Sequence, residues 1–455
     1  MAGNSASSER RAERAEREQP MRLSKWMPLL LVAVAIPTAG RSQDKVILTA
    51  PKAFALAEAY QKEGREADAE ALLKALSQDP NADYRAEARF RLGEALMARR
   101  DYAGAIDAFS ALLEEKPDAK PARIELAKAL ALGGKPAAAE RQLRRAEVGG
   151  LPPDVQRLVD KFGDVLRRSR PYGASFELGI APDSNINQAT DVRTVDIGGF
   201  PLTLDESGRA KSGIGVMTFA DAFASLQLAH GVALVTNIVG TGNFYGSGRF
   251  TDLFVTASSG PEFVVDREVI RAAATYAWRQ VGKSTYSKGY GGSLQMTGPA
   301  GKAGQFGFTL SLSQQHYRIP DQNGPQYAAR ASFERALSSR LFGRIELNVA
   351  RQEAVAAPYA SWSYGIAGSV SRDVGALTVY GSAAYSRTEG DAPFALFGAG
   401  RRDDRLDVSI GAGSKRFSIA GLSPVVRVSQ TINRSPLAIY QFRRTRLELA
   451  LEERF

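Results

Sequence analysis

The sequence predicts an α+β chain in two parts: a short array of paired-helix repeats, then a C-terminal antiparallel transmembrane β-barrel of about fourteen strands. Three observations carry this prediction. Small and large apolar residues recur at helical spacing between residues 51 and 170, a period of two takes over from Pro171 onward, and the last strand is built with one oily and one wet face. In that strand Thr445, Leu447, Leu449, Leu451, Glu453 and Phe455 share one side, and Arg446, Glu448, Ala450, Glu452 and Arg454 share the other. A segment of about ten residues with an apolar face, a polar face and a terminal aromatic suits the closing strand of an outer-membrane barrel. Leu447, Leu449, Leu451 and Phe455 are therefore read as its assembly signal.

Composition narrows the function classes. With no cysteine there is no disulfide framework, thiol nucleophile or thiolate metal site, and two histidines, His230 and His316, supply metal sites or catalytic triads poorly. No metal and no cofactor is expected. The formal net charge of +10 could suggest nucleic acid, but the basic residues come singly among apolar ones. From Pro171 on, 29 Lys+Arg stand against 24 Asp+Glu, a balance of only +5. Nucleic acid is not an expected partner.

Residues 1–20 alternate Arg with Glu and are read as a mis-assigned start or a disordered extension. Met21 opens a different stretch: Arg22 and Lys25, an apolar run from Trp26 to Ile36, then Thr38, Ala39 and Gly40. That layout predicts a secretory signal peptide over residues 21–40, because its apolar core is too short for a stable membrane span.

From 51 to 170 a repeat appears. Ala69, Ala105 and Ala139 fall in register, 36 and 34 residues apart, with Leu73, Phe109 and Leu143 four positions later in each case. This is the tetratricopeptide pattern, in which small residues let antiparallel helices approach and large ones fill the space between repeats. Three repeats and a capping helix around Val155 to Arg167 are expected. Such arrays bind an extended client in a concave groove, and the usual phasing places Phe54, Phe90 and Ile124 on it, flanked by Glu58, Gln61, Glu87, Glu94, Met97 and Lys128. An alternative is that the three apolar residues are simply buried between helices.

Beyond Pro171 alternation runs to the end. Phe306, Phe308, Leu310 and Leu312 oppose Gly307, Thr309, Ser311 and Ser313, and Ile345 and Leu347 oppose Arg344, Glu346 and Asn348. So many strands with one uniformly apolar face predict a closed barrel with lipid outside and a wet interior. Arg271, Arg279, Arg344, Glu346, Arg405 and Asp407 are assigned to that interior. Aromatics such as Tyr276, Trp278, Trp362 and Tyr364 suit the interfacial girdles, and residues 182–212 read as a long loop.

The order of parts resembles the surface lipoprotein assembly modulator family. The residues that carry the likeness are the run Ser175-Phe176-Glu177-Leu178-Gly179 leading to Asp183-Ser184-Asn185-Ile186-Asn187, and the end from Tyr440 to Phe455. The resemblance implies an outer-membrane protein whose periplasmic repeats receive a surface lipoprotein, or a related secreted haem- or iron-acquisition-type protein, and whose barrel helps it across. It also implies the lipid bilayer and the outer-membrane barrel assembly machinery as partners. From the residues alone a polysaccharide-export porin is the alternative. An outer-membrane enzyme is disfavoured because His316 shares the parity of the lipid-facing Phe306 and Leu312.

Overall fold

The computed structural model describes residues 48–168, 171–246, 248–414, 417 and 422–453. The extension expected at 1–20, the signal peptide expected at 21–40 and Phe455 lie outside the described residues.

Six helices form three antiparallel pairs: α1 (Ala50–Lys62) with α2 (Glu66–Leu76), α3 (Ala82–Ala98) with α4 (Tyr102–Glu115), and α5 (Lys120–Leu132) with α6 (Pro136–Ala146). A seventh, α7 (Pro153–Arg168), follows as the cap. Helix starts are set locally. The Asn81 side chain accepts from the Asp83 and Tyr84 amides, Asp101 accepts from Gly104, and proline stands in the first turn of α1, α5 and α6. Ala69, Ala105 and Ala139 are all buried, as the close approach within each pair requires. Gly93 serves the same end: a Cβ there would stand 2.6 Å from the Phe109 ring, whose residue is fully buried. Any larger residue would push that ring out of its place between α3 and α4.

The rest of the chain is one closed antiparallel barrel and a small hairpin. The barrel strands are β1 (Tyr172–Asp183), β4 (Gly213–Ala229), β5 (Val232–Tyr245), β6 (Asp252–Val265), β7 (Glu268–Val281), β8 (Ser284–Pro299), β9 (Gly304–Tyr317), β10 (Gly324–Ala336), β11 (Leu341–Gln352), β12 (Ser361–Val374), β13 (Leu377–Phe394), β14 (Ala399–Ser414), β15 (Leu422–Arg434) and β16 (Phe442–Glu453). These fourteen pair in sequence order, and β1 pairs with β16 to close the ring. The remaining two strands, β2 (Thr194–Ile197) and β3 (Phe200–Thr203), make a separate hairpin within the loop after β1. That loop is more ordered than its turn-rich composition suggested. Asn185 donates to the carbonyls of Ala189 and Arg443, and Asn187 to those of Ser207 and Arg209.

Burial runs opposite to that of a water-soluble protein. Phe308, Leu310, Leu312, Ile345, Leu347, Ile366 and Ile410 all stand exposed on the outer wall. In β11 the outward Ile345 and Leu347 alternate with the inward Glu346 and Asn348, the two-residue period of a strand with two solvents. The compact apolar core lies wholly among the helices.

The rims differ. One carries tight turns such as those at His230–Gly231, Asp266–Arg267 and Gly375–Ala376, where Gly231, Asp266 and Gly375 take positive φ. The other carries the loop of residues 184–212 and three single 3-10 turns. The β1 N-terminus and the β16 C-terminus open on the tight-turn rim, so the helices join the barrel there.

Candidate functional site

The first helices of the three repeats stand side by side and share a polar face. Glu58 pairs with Lys62 at 2.8 Å, Glu87 with Arg91 at 2.6 Å, and Glu125 with Lys128 at 2.5 Å. Glu94 has no ion pair among the described residues. Burial, followed by the charges of Glu125 and Glu87, raises its carboxyl above the usual range. The centre of this face is therefore electronegative, and a cationic segment would relieve it.

The apolar strip expected on that face is corrected. Phe54 and Ile124 are buried at 8% exposure and belong to the interhelical core. The Tyr84 ring packs on Phe54 at 6.3 Å and the Arg91 guanidinium lies over it at 5.1 Å, so helix α3 covers what would have been open groove. Phe90 is half-buried edge-on against Phe109 at 5.8 Å, and Met97 is half-buried against the same core. What the face offers to solvent is Glu58, Gln61, Glu87 and Glu94, with Lys128 half-buried beside them.

The third repeat is fastened to the tight-turn rim. Arg144 of α6 binds Glu334 at 2.9 Å, Arg145 binds Asp373 at 2.6 Å, Glu147 accepts from the Ala303 amide at 3.0 Å, and Asp118 accepts from Ser339 at 2.7 Å. Between the repeat and the rim lies a cavity of about 410 Å³ whose lining includes Arg123, Arg145, Arg340, Phe342, Asp373 and Tyr380. Burial pushes the Arg123 guanidinium down to about 10, with the neighbouring charge of Arg145 adding to the effect. Only tightly placed carboxylates make it tolerable to hold so many guanidinium groups there.

All six residues assigned to the wet interior point inward, and each has a partner in place. Arg271 donates to Ser258 and the Val235 carbonyl, and Arg279 forks onto Asp252 at 2.9 and 2.7 Å. Arg344 binds Glu346 at 2.8 Å, and Arg405 grips Asp407, which also accepts from Thr431. Among the described residues the inward wall is thus a mosaic of paired charges with no basic stripe for a polyanion. His316 stacks on Tyr290 at 5.6 Å, on the outward face that its parity indicated.

A family model described as surface lipoprotein assembly modifier matches residues 174–455, more than half of the chain, and tetratricopeptide-repeat models match residues 54–120 and 96–159. The chain belongs to the surface lipoprotein assembly modifier family. Two curated relatives are each called surface lipoprotein assembly modifier 1. That of Haemophilus influenzae is 23% identical over 241 residues, covering 51% of this chain and 49% of the relative. That of Neisseria meningitidis is 26% identical over 191 residues, covering 42% and 38%. The aligned stretch thus spans about half or less of the curated relatives' length. Among solved structures, the outer-membrane protein OmpT of Vibrio cholerae, as a loop-deletion mutant, aligns at 8% identity and a TM-score of 0.35, over 62% of this chain and 99% of that one.

The structure brings out two groups of residues that the sequence analysis passed over. Arg144, Arg145 and Glu147 drew no attention in the sequence, and their partners lie 156 or more residues away. Asp183 looked like a turn residue, but its buried carboxylate is held by Arg444 at 2.5 Å and by the Tyr245 hydroxyl at 3.1 Å. The charged parity of β16, which carries Arg444, Arg446 and Glu448, was the available signal for the second group. Nothing local signalled the first.

Proposed function

We propose that the chain receives a lipoprotein client on the polar face of its repeats, in the periplasm, and helps deliver it to the cell surface through or beside the barrel. The observation that best supports this reading is the fastening of the third repeat to the tight-turn rim, which holds the repeat array beside the barrel mouth. Short turns characterise the periplasmic side of bacterial outer-membrane barrels. That orientation sets the repeats where a newly exported lipoprotein arrives. The electronegative patch around Glu94 favours a basic, extended client segment, and the paired inward charges offer a wet but unselective wall. The bilayer and the barrel assembly machinery are the remaining partners in this reading, the latter through the closing strand.

The test compares a deletion strain of the host with strains complemented by the wild-type or the Glu87→Lys/Glu94→Lys chain. Lipoproteins are labelled with radioactive palmitate, and the label that protease removes from intact cells is measured. The wild type restores surface label, and the double reversal lowers it about tenfold, equivalent to the loss of roughly 1.4 kcal/mol of client binding. Surface label unaffected by the deletion contradicts the proposal.

A further inference from the structure

Among the described residues the junction between β1 and β16 has the shortest ladder of the fourteen. Its register runs from Glu177–Glu452 to Ile180–Leu449 and resumes at Asp183–Arg446, whereas every other adjacent pair of barrel strands is in register over ten positions or more, including β6 and β7, where a like gap falls at Gly260–Pro261. The interruption has a chemical cause. The Ser184 amide donates to the Thr445 carbonyl, so in antiparallel alternation the amide two residues earlier also points at β16. That residue is Pro182, which has no proton to donate.

Side chains compensate on the inner wall. Arg427 of β15 binds Glu448 at 2.8 Å and lies 3.5 Å from Glu177, Arg446 reaches Asn243 at 2.6 Å, and Arg444 clamps Asp183. Even so, Glu177 Oε1 and Arg446 Nε make no well-aligned hydrogen bond and rest on ion pairs alone, the latter 3.2 Å from Glu448. On the outer wall the same junction presents apolar groups, Phe176, Leu178 and Ile180 on one strand and Leu449 and Leu451 on the other. The seam is thus closed by exchangeable charge pairs instead of a full backbone ladder.

We propose that this seam is a lateral gate for the acyl chains of the client. This deepens the function proposed above and rests on the client being a lipoprotein. Acyl chains cannot traverse the charged inner wall without leaving hydrocarbon, and a folded or extended polypeptide cannot traverse hydrocarbon without stranding its backbone groups. A slit between β1 and β16 satisfies both at once: the acyl chains slide along Leu178, Ile180, Leu449 and Leu451 within the bilayer while the polypeptide stays on the wet side. Opening needs release of the short ladder and of a few ion pairs, for the latter of which a passing client offers substitute charges.

Because the chain has no cysteine, a single disulfide can lock the seam without competing thiols. Gly179 and Ala450 are register partners on the inner wall; a Cβ on Gly179 would stand 2.8 Å from that of Ala450, tighter than the roughly 3.5–4.5 Å of a disulfide, so this lock requires the two strands to part slightly. The Gly179→Cys/Ala450→Cys chain is produced in the deletion host, with Glu177→Cys/Glu452→Cys as a second lock should the first disturb folding. Ser311→Cys/Ala328→Cys, which joins β9 to β10, is the control. Surface palmitate label is measured oxidised and reduced. The oxidised seam lock falls to the level of the deletion and recovers with reductant, while the oxidised control stays at the wild-type level. Equal surface label from oxidised and reduced seam locks overturns the gate. If the wild-type chain itself gives no more surface label than the deletion, the delivery reading fails, and the gate with it.

Discussion

Replacing Arg144 and Arg145 together by glutamate frees the repeat array from the barrel rim while both parts stay folded. The two guanidinium groups are 15% and 9% exposed and their partners Glu334 and Asp373 are 19% and 17% exposed, so water screens the pairs weakly. Removing one member of a buried pair costs on the order of 3–5 kcal/mol, and here each lost cation is replaced by a carboxylate facing another carboxylate. Two further ties, Glu147 to the Ala303 amide and Asp118 to Ser339, are single hydrogen bonds worth about 1 kcal/mol each and are weaker than either ion pair. Hydrogen exchange on the full chain in detergent should show α6 and the rim at residues 337–340 and 375–376 losing protection, while the barrel strands keep theirs. Adding Glu334→Arg and Asp373→Arg re-creates the pairs in reverse and should restore much of the protection. Unchanged exchange in the first variant would mean that docking rests on something other than these charges.

The second large effect separates the two faces of a single strand. Leu347 lies near the middle of β11, 52% exposed on the outer wall, and Asn348 beside it faces inward. Leu347→Arg places a charge at the depth where the bilayer tolerates it least, a cost of about 2–4 kcal/mol in membrane barrels. Asn348→Arg places the same charge among Arg330, Glu346 and other polar groups of the inner wall and should cost far less. Denaturant unfolding in lipid vesicles gives both values. Similar losses for the two substitutions would be hard to reconcile with one face in hydrocarbon and the other in water.

How much of this was legible in the sequence follows from which signals are local. The barrel could be read because lipid contact imposes the same two-residue alternation on every strand, and an error at one boundary does not erase it from the next. The repeats could be read because Ala69, Ala105 and Ala139 must all be small for the same steric reason. The polar inner wall followed from parity alone, so Arg271, Arg279, Arg344, Glu346, Arg405 and Asp407 were placed inward without knowledge of their partners. The apolar groove failed because helical phase gives the direction of Phe54 but not what covers it, and the cover comes from Tyr84 and Arg91 in the next repeat. Docking failed for a stronger version of the same reason: Arg145 and Asp373 are 228 residues apart. The weak seam lay in between. Pro182 was visible, but that its missing proton points at β16 and not at β4 could be known only from the register.

The barrel is a cylinder whose outside faces hydrocarbon. Trp278 and Trp362 lie on the outward parity of β7 and β12, beside Tyr276 and Tyr364, and Trp26, the only other tryptophan, can be removed as Trp26→Phe. Reconstituted into vesicles of brominated lipid, that variant should lose most of its tryptophan fluorescence relative to ordinary lipid, because bromine quenches only on contact within the bilayer. Fluorescence indifferent to bromination would place both rings away from lipid and contradict the membrane barrel on which everything else depends.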